Sequence, residues 1–475
     1  MSKKESLRRQ VEEAKSKISA ALKNDKKIST ELKVAIESIL LVIDVLFAVF
    51  LEKKTRKTSG NSGLPPSKGF GSNGNRNKGT GKKSPKSNNL KNIESKEKKK
   101  TVSAKNCSGC GKSLRSASVK RAEERRKIDI IYKVEILTVT SEVKTCPSCG
   151  EETKGVFPKD MPGKLQYGNG IKASVIDFLC AQMLSLERIQ EHFKGILGRV
   201  ISQAVMLKYI VQFSESLEGW EERMITKLLR LPSIYTDETS MRVDKKNHWI
   251  HSYSGEDITL KFIHPKRGSA AIEDIGILPR YKGIAVHDCY SSYFTYEEVT
   301  HALCGAHLLR ELKFIEESTK KKWATDMKKL LQGAASTVYK REKLRVLRKK
   351  ELENLESAYD DILSGAKKQL SPFPEPTGKR GRPKHTDAQN LYLRLTEHKD
   401  SILLFAKNKD VDFTNNRAER DLRVAKLKQK VSGCFRKLEY ARHFCRISSY
   451  IKTMRYKGYS SLESIMLALE GKIPE

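Results

Sequence analysis

The sequence predicts a multidomain α/β protein, and three observations carry that expectation. Apolar residues recur every three or four positions through the first fifty residues. Two Cys-x-x-Cys pairs follow between 106 and 156, and from Leu231 apolar runs of strand length replace helical periodicity. A chain of 475 residues is long enough for several domains, one of them with a sizeable core. Its formal net charge of +35 implies a polyanionic partner, because so large a surplus repels itself in a compact monomer. Nucleic acid is the expected partner, and an acidic membrane surface is the weaker alternative.

The start, Met1-Ser-Lys-Lys-Glu-Ser, lacks the apolar stretch of a secretion signal, and the run Val34 to Leu51 is interrupted by Glu37 and Asp44. A cytoplasmic, nucleoid-associated protein without membrane contact is expected. Over 1–52, Leu7, Val11, Ala14, Ile18, Ala21, Ile28, Leu32, Ala35, Ile39, Val42, Leu46 and Val49 keep a heptad spacing, broken at Asp25. Such a seam must be buried against another helix, so a coiled coil that makes a homo-oligomer is expected, with a two-helix hairpin as the alternative. Residues 53–105 are rich in Gly, Ser, Asn and Lys and have few large apolar side chains to offset ordering entropy, so this stretch is expected to be a disordered basic linker.

Nine cysteines, an odd number, in a reducing compartment favour metal binding over disulfides. Cys107-Ser-Gly-Cys110 and Cys146-Pro-Ser-Cys149 are each followed by glycine and stand 35 residues apart. Two such knuckles supply four thiolates, the set that a structural Zn²⁺ takes, and predict a zinc ribbon over 106–156. The alternating apolar residues Ile131, Val134, Ile136 and Val139 suggest strands between them.

Residues 157–230 are expected to be helical. A helix at Leu186–Phe193, a break around Gly195 and Gly198, and Ser202 capping a second helix from Gln203 outline a helix-turn-helix. Gln203 and Lys208 would then reach a DNA groove, unless the pair is plain helical packing.

Strands are expected at Ser233–Asp237, Asn247–Tyr253 and Thr259–Ile263, a helix at Ser269–Ile275, and a strand at Gly283–Asp288. Three strands, a helix and a further strand, with an aspartate closing the first and the fourth, is the order of a ribonuclease H-like fold. This catalytic domain is expected over 231–460, with a helical insertion about 306–405 and a tail at 461–475. Inside the insertion, Lys379-Arg-Gly-Arg-Pro-Lys384 has an AT-hook-like core whose Arg380 and Arg382 suit a narrow minor groove; a mobile basic loop is the default.

Near the C-terminus, Glu419 stands among Arg417, Arg420, Arg423 and Lys426. An acid set among cations makes sense if the cations grip a polyanion while the acid holds a metal over it. Asp237, Asp288 and Glu419 are candidate ligands for Mg²⁺ or Mn²⁺, hard ions that take oxygen donors. Two such ions about 3.5–4 Å apart activate an attacking oxygen and neutralise a leaving one. Glu238 and Asp421 are the nearest rivals. Arg420, Arg423, Lys426 and Lys430 are candidate phosphate contacts. Cys304 and His307 form half a possible metal site, with His301 or Cys289 as conceivable partners; otherwise they pack and orient Arg310 toward DNA.

Several motifs occur in a telling order: the zipper-like start, Gly60-Asn-Ser-Gly-Leu-Pro-Pro-Ser67, the cysteine pairs, Tyr235-Thr-Asp-Glu-Thr239, His287-Asp-Cys-Tyr-Ser291, Cys304-Gly-Ala-His307 with Arg310-Glu-Leu312, Gly378–Pro383, and Asn415-Asn-Arg-Ala-Glu-Arg420 leading to Lys430–Arg436. In this the chain resembles bacterial insertion-sequence transposases with an Asp-Asp-Glu triad, specifically the insertion sequence sixty-six family. It departs at Gly63, where the family more often has a small hydroxyl residue. The resemblance implies a ribonuclease H-like catalytic domain with Asp237, Asp288 and Glu419 as the triad. It also implies accessory proteins encoded by the same element. The expected activity is hydrolysis at the element's ends and strand transfer of the 3′-hydroxyl into target DNA. The alternatives are a non-catalytic DNA-binding regulator and a nuclease without strand transfer.

Overall fold

The computed structural model describes Ser29, Ile36 and residues 100–475, apart from 126, 128, 130–132, 342, 343 and 375–384. The expected coiled coil, most of the linker, the Gly60–Ser67 motif, and Arg380 and Arg382 therefore lie outside the described residues. The described residues of Tyr167–Glu191 and Ile201–Glu475 belong to one compact unit; those of 100–166 with His192–Val200 belong to another.

The smaller unit contains a short antiparallel pair, β1 (Val143–Thr145) and β2 (Glu152–Lys154). The strands expected upstream do not form among its described residues. Val134 and Ile136 are exposed there, so the alternation has no layer to bury against.

In the larger unit, α1 (Asn169–Ile176) continues into a π-helical turn at Asp177–Ala181. α2 (Leu186–Leu197), whose residues from His192 onward are grouped with the smaller unit, runs through Gly195, where a break was expected, and ends at Gly198, whose φ of +67° suits a residue without Cβ. In the larger unit again, α3 (Gln203–Ser216) starts as expected, with the Ser202 hydroxyl accepting the Val205 N–H, and α4 (Glu218–Leu228) follows.

The sheet then begins with β3 (Ser233–Val243), β4 (Lys246–Gly255) and β5 (Ile258–His264), a meander. α5 (Ser269–Ile275) leads to β6 (Ile284–His287) and β7 (Thr300–Leu303), both parallel to β3. The order β5-β4-β3-β6-β7 is a mixed sheet compatible with a ribonuclease H-like core. Helices α6 (Gly305–Thr319), α7 (Lys322–Lys340), α8 (Lys349–Gln369), α9 (Asp387–Glu397) and α10 (Lys399–Lys407) follow. The chain closes with α11 (Asn416–Ser432), α12 (Leu438–Tyr456) and α13 (Ser461–Leu469).

Two apolar clusters form around this sheet. One joins β3, β4 and β5 to α3, α4, α11, α12 and α13, with Trp220, Phe213 and Tyr450 meeting edge to face. The other joins Tyr235, Val286 and Leu303 to α6 through α10. The edge of β5 is covered by α12: the Thr453 and Ser449 hydroxyls accept the Thr259 and Lys261 backbone N–H groups at 3.0 and 2.8 Å. These donors would otherwise be unpaired in the core, at a cost of about 1–3 kcal/mol each.

Candidate active site

β3 carries the first aspartate. Asp237 does not close this strand, as expected, but sits within it, because apolar Met241 and Val243 extend the buried alternation to residue 243. Side chains alternate across a strand, so Asp237 and Glu238 leave opposite faces. Buried Glu238 accepts the Arg267 Nε–H at 2.7 Å and the Tyr293 hydroxyl proton. Arg267 in turn lies over the rings of Trp249 and Tyr290, 4.9 and 4.1 Å from their centroids. Burial and then Asp288 push the Glu238 carboxyl up, against Arg267. This rival ligand already has its cation.

Asp288 directly follows β6. Parallel pairing sets Tyr235 against Val286, and the same offset two residues on brings Asp288 beside Asp237. The Tyr290 backbone N–H donates to Asp288 Oδ1 and the Glu238 N–H to Asp237 Oδ1, each at 2.9 Å. Burial holds the Asp237 carboxyl well above the usual carboxylate range, and Glu238, Asp288 and Glu419 push it further. A half-buried acid whose neighbours are acids suits a divalent cation, which would favour its ionised form.

Glu419 lies in the first turn of α11. Its place is fixed by Asn415, a buried residue at the head of the Asn415–Arg420 motif. The Asn415 amide donates to the Thr236 carbonyl at 2.7 Å, and its backbone N–H to Cys304 Sγ at 3.1 Å. The helix start is thus tied to β3 one residue from Asp237. The Gly305 N–H reinforces this by donating to the Phe413 carbonyl at 2.7 Å; a Cβ on Gly305 would fall 2.2 Å from the Phe413 ring.

The expected ring of cations around Glu419 is corrected. Arg417 stacks on Tyr456, 4.7 Å from its centroid, and Lys426 donates to the Ser240 carbonyl at 2.6 Å. Arg420, Arg423 and Lys430 are exposed along α11. Helical periodicity spreads these residues around the axis instead of gathering them at one carboxylate. The cation that meets Glu419 is Arg310 of α6, with Nη2 3.2 Å from Oε1, and His307 Nδ1 lies 3.6 Å from the same oxygen. Arg310, expected to face DNA, is turned onto Glu419. Asp421 is fully buried and taken by Thr259, Tyr456 and Lys452 at 2.7, 3.0 and 3.2 Å.

Cys304 and His307 are not completed by His301 or Cys289. His301 pairs with His287 at 2.9 Å, and Cys289 lies by Arg394. Among the described residues, the potential ligand atoms that all lie within 4.8 Å of one another are those of Cys304, His307 and Glu419. In the smaller unit, both cysteine knuckles are formed turns, with Gly111 and Gly150 donating to the Cys107 and Cys146 carbonyls at 2.9 and 2.8 Å. Backbone N–H groups, chiefly those of Cys110 and Ser148, hold the Cys107 and Cys146 thiols below their usual range, as suits metal-binding thiolates. The four sulphurs are not gathered as one such group. Of the helix-turn-helix candidates, Gln203 donates to Gln190 at 3.0 Å and Lys208 is exposed.

A family model described as Transposase IS66 family matches residues 164–443, more than half of the chain. The chain belongs to the IS66 family of transposases. The matched span contains Asp237, Asp288 and Glu419 together with α6 through α10. No curated protein matches it. A transposase handles DNA, which agrees with the surplus of 92 Lys and Arg over 57 Asp and Glu in this IS66 member. Among its described residues, no helix is long and apolar enough to cross a membrane.

Proposed function

We propose that this IS66 transposase cuts and joins DNA at Asp237, Asp288 and Glu419. The observation that carries this reading is Asp237 itself, a half-buried carboxyl raised by desolvation and then by three acidic neighbours, beside the start of the Glu419 helix. Two Mg²⁺ or Mn²⁺ ions, when bound, would activate the attacking oxygen and neutralise the leaving one. Asp237 supplies oxygen ligands from β3 and Asp288 from the end of the adjacent β6, and Glu419 supplies its carboxylate after turning from Arg310. Asn415 keeps the helix start in register with β3. The exposed Arg420, Arg423 and Lys430 hold phosphates along α11.

In the first step water attacks the phosphodiester at each element end, forming a new P–O bond and releasing a 3′-hydroxyl. That hydroxyl then attacks a target phosphodiester, and the target's own 3′-oxygen leaves. The zinc ribbon and the helices at 157–230 would recognise the terminal repeats. The N-terminal coiled coil would join protomers, and accessory proteins of the element would assist.

The test is cleavage of a duplex carrying the gene's own flanking ends, by wild type, Asp288→Asn and Glu419→Gln. Loss of several kcal/mol of charge stabilisation predicts a fall of about 10³-fold or more in both variants, with DNA binding intact. Cleavage that survives would exclude this triad. Nicks without joined products would favour a nuclease, and binding without a role for the acids a regulator.

A further inference from the structure

Cys304 ends the segment before α6, His307 lies in the first turn of α6, and Glu419 lies in the first turn of α11. The two helix starts are clamped together by the Asn415 N–H on Cys304 Sγ and the Gly305 N–H on the Phe413 carbonyl. Their ligand atoms all fall within 4.8 Å of one another. Tetrahedral Zn²⁺ with bonds of about 2.0–2.3 Å needs ligand separations of roughly 3.5 Å, so closing on an ion takes about an ångström. His307 Nδ1 is buried without a hydrogen bond, 3.6 Å from the Glu419 oxygen. Sulphur, imidazole and carboxylate together suit zinc, whereas magnesium takes oxygen alone.

We propose that Cys304, His307 and Glu419 form a second cation site, specific for zinc-like ions, which withholds Glu419 from Asp237 and Asp288. The withholding rests on the triad proposed above; the site itself does not. Cys304 loses its thiol proton to solvent on ligation, and water takes the fourth position. Arg310 now occupies the same Glu419 oxygen at 3.2 Å, so an entering cation must displace its guanidinium. Arg310 therefore weakens binding here, and the sulphur and nitrogen ligands gained by a zinc-like ion offset that competition.

The experiment is a Co²⁺ titration of the full chain without DNA, after the four ribbon cysteines have been loaded with zinc. Thiolate-to-cobalt charge-transfer absorption is read, and circular dichroism verifies the fold of each variant. Wild type should bind one further equivalent. Cys304→Ser should lose the band, His307→Ala should bind at least about tenfold more weakly, and Arg310→Gln more tightly. A band unchanged in folded Cys304→Ser, or no further equivalent in wild type, would overturn the site. Added zinc should also slow Mg²⁺-driven cleavage by wild type, and slow Cys304→Ser less relative to that variant's own zinc-free rate. Cobalt binding without zinc inhibition would overturn the competition, and would count against Glu419 as a catalytic ligand while leaving the site standing.

Discussion

Two acids on one helix, Glu419 and Asp421, have opposite surroundings. Asp421 points into the core under β5, where a hydroxyl, a phenol and an ammonium take its oxygens. Lys261, buried beside it with its pKa lowered to about 8 by burial, donates to Ser448 at 2.8 Å. Glu419 points to the sheet end, meets one guanidinium, and adds its charge to Asp237. Glu238 repeats the first pattern and Asp237 the second. A buried acid with every oxygen answered by protein donors is part of the scaffold. One whose neighbours are acids has its charge unbalanced among them, which fits the metal-holding role proposed for it.

Breaking the scaffold cluster should have the largest effect on stability. Asp421→Ala leaves Lys261 and Lys452 without their counter-charge and should cost about 3 kcal/mol or more in denaturant unfolding. An unchanged midpoint would erase the distinction drawn between the two acids. Asn415→Ala sharpens the same contrast, because Asn415 anchors the site and not the core cluster. Loss of its amide bond to Thr236 should cost about 1–2 kcal/mol, while end cleavage falls at least about tenfold under conditions where the variant is fully folded. A stability loss without a cleavage loss would make Asn415 scaffold as well.

The smallest effect is a pH slope. Asp237 is raised in the folded state, so the folded chain keeps a proton that the unfolded chain releases at the same pH. Stability should therefore fall as pH rises from the ordinary carboxylate value through the raised one. Glu238 adds in the same direction, and Asp288 and Glu419 sharpen the repulsion, with Arg267 and Arg310 opposing. Mn²⁺ favours the ionised form, so the gain in Tm on adding it should grow with pH. Asp237→Asn should flatten both dependences; equal slopes with and without that carboxyl would remove Asp237 from the metal site.

Much of this molecule was legible in local pattern. Ser202 marked a helix start, the helix at Ser269–Ile275 stands where it was expected, and Asp288 stands at a strand end. Local pattern failed where partners are distant in the chain. Arg310 and Glu419 are 109 positions apart, and nothing near either announces the other. Lys426 looks like a free cation until Ser240 is seen beneath it. The end of β3 was misjudged because the polar run from Thr236 to Ser240 resembles a turn, although every one of its residues pairs with β4. Alternation at 133–142 promised strands that had no second layer to cover them.

The clamp between Gly305 and Phe413 has a consequence for how the protein can change. The chain departs from the sheet and returns to it at adjoining points, so everything between them is a detour with fixed feet. Lengthening such a detour costs little closure entropy, on the order of 0.6 kcal/mol per doubling. Closure entropy therefore sets little limit on the length of the detour. What constrains its helices is their packing on Tyr235, Val286 and Leu303 and the contacts of His307 and Arg310 with Glu419.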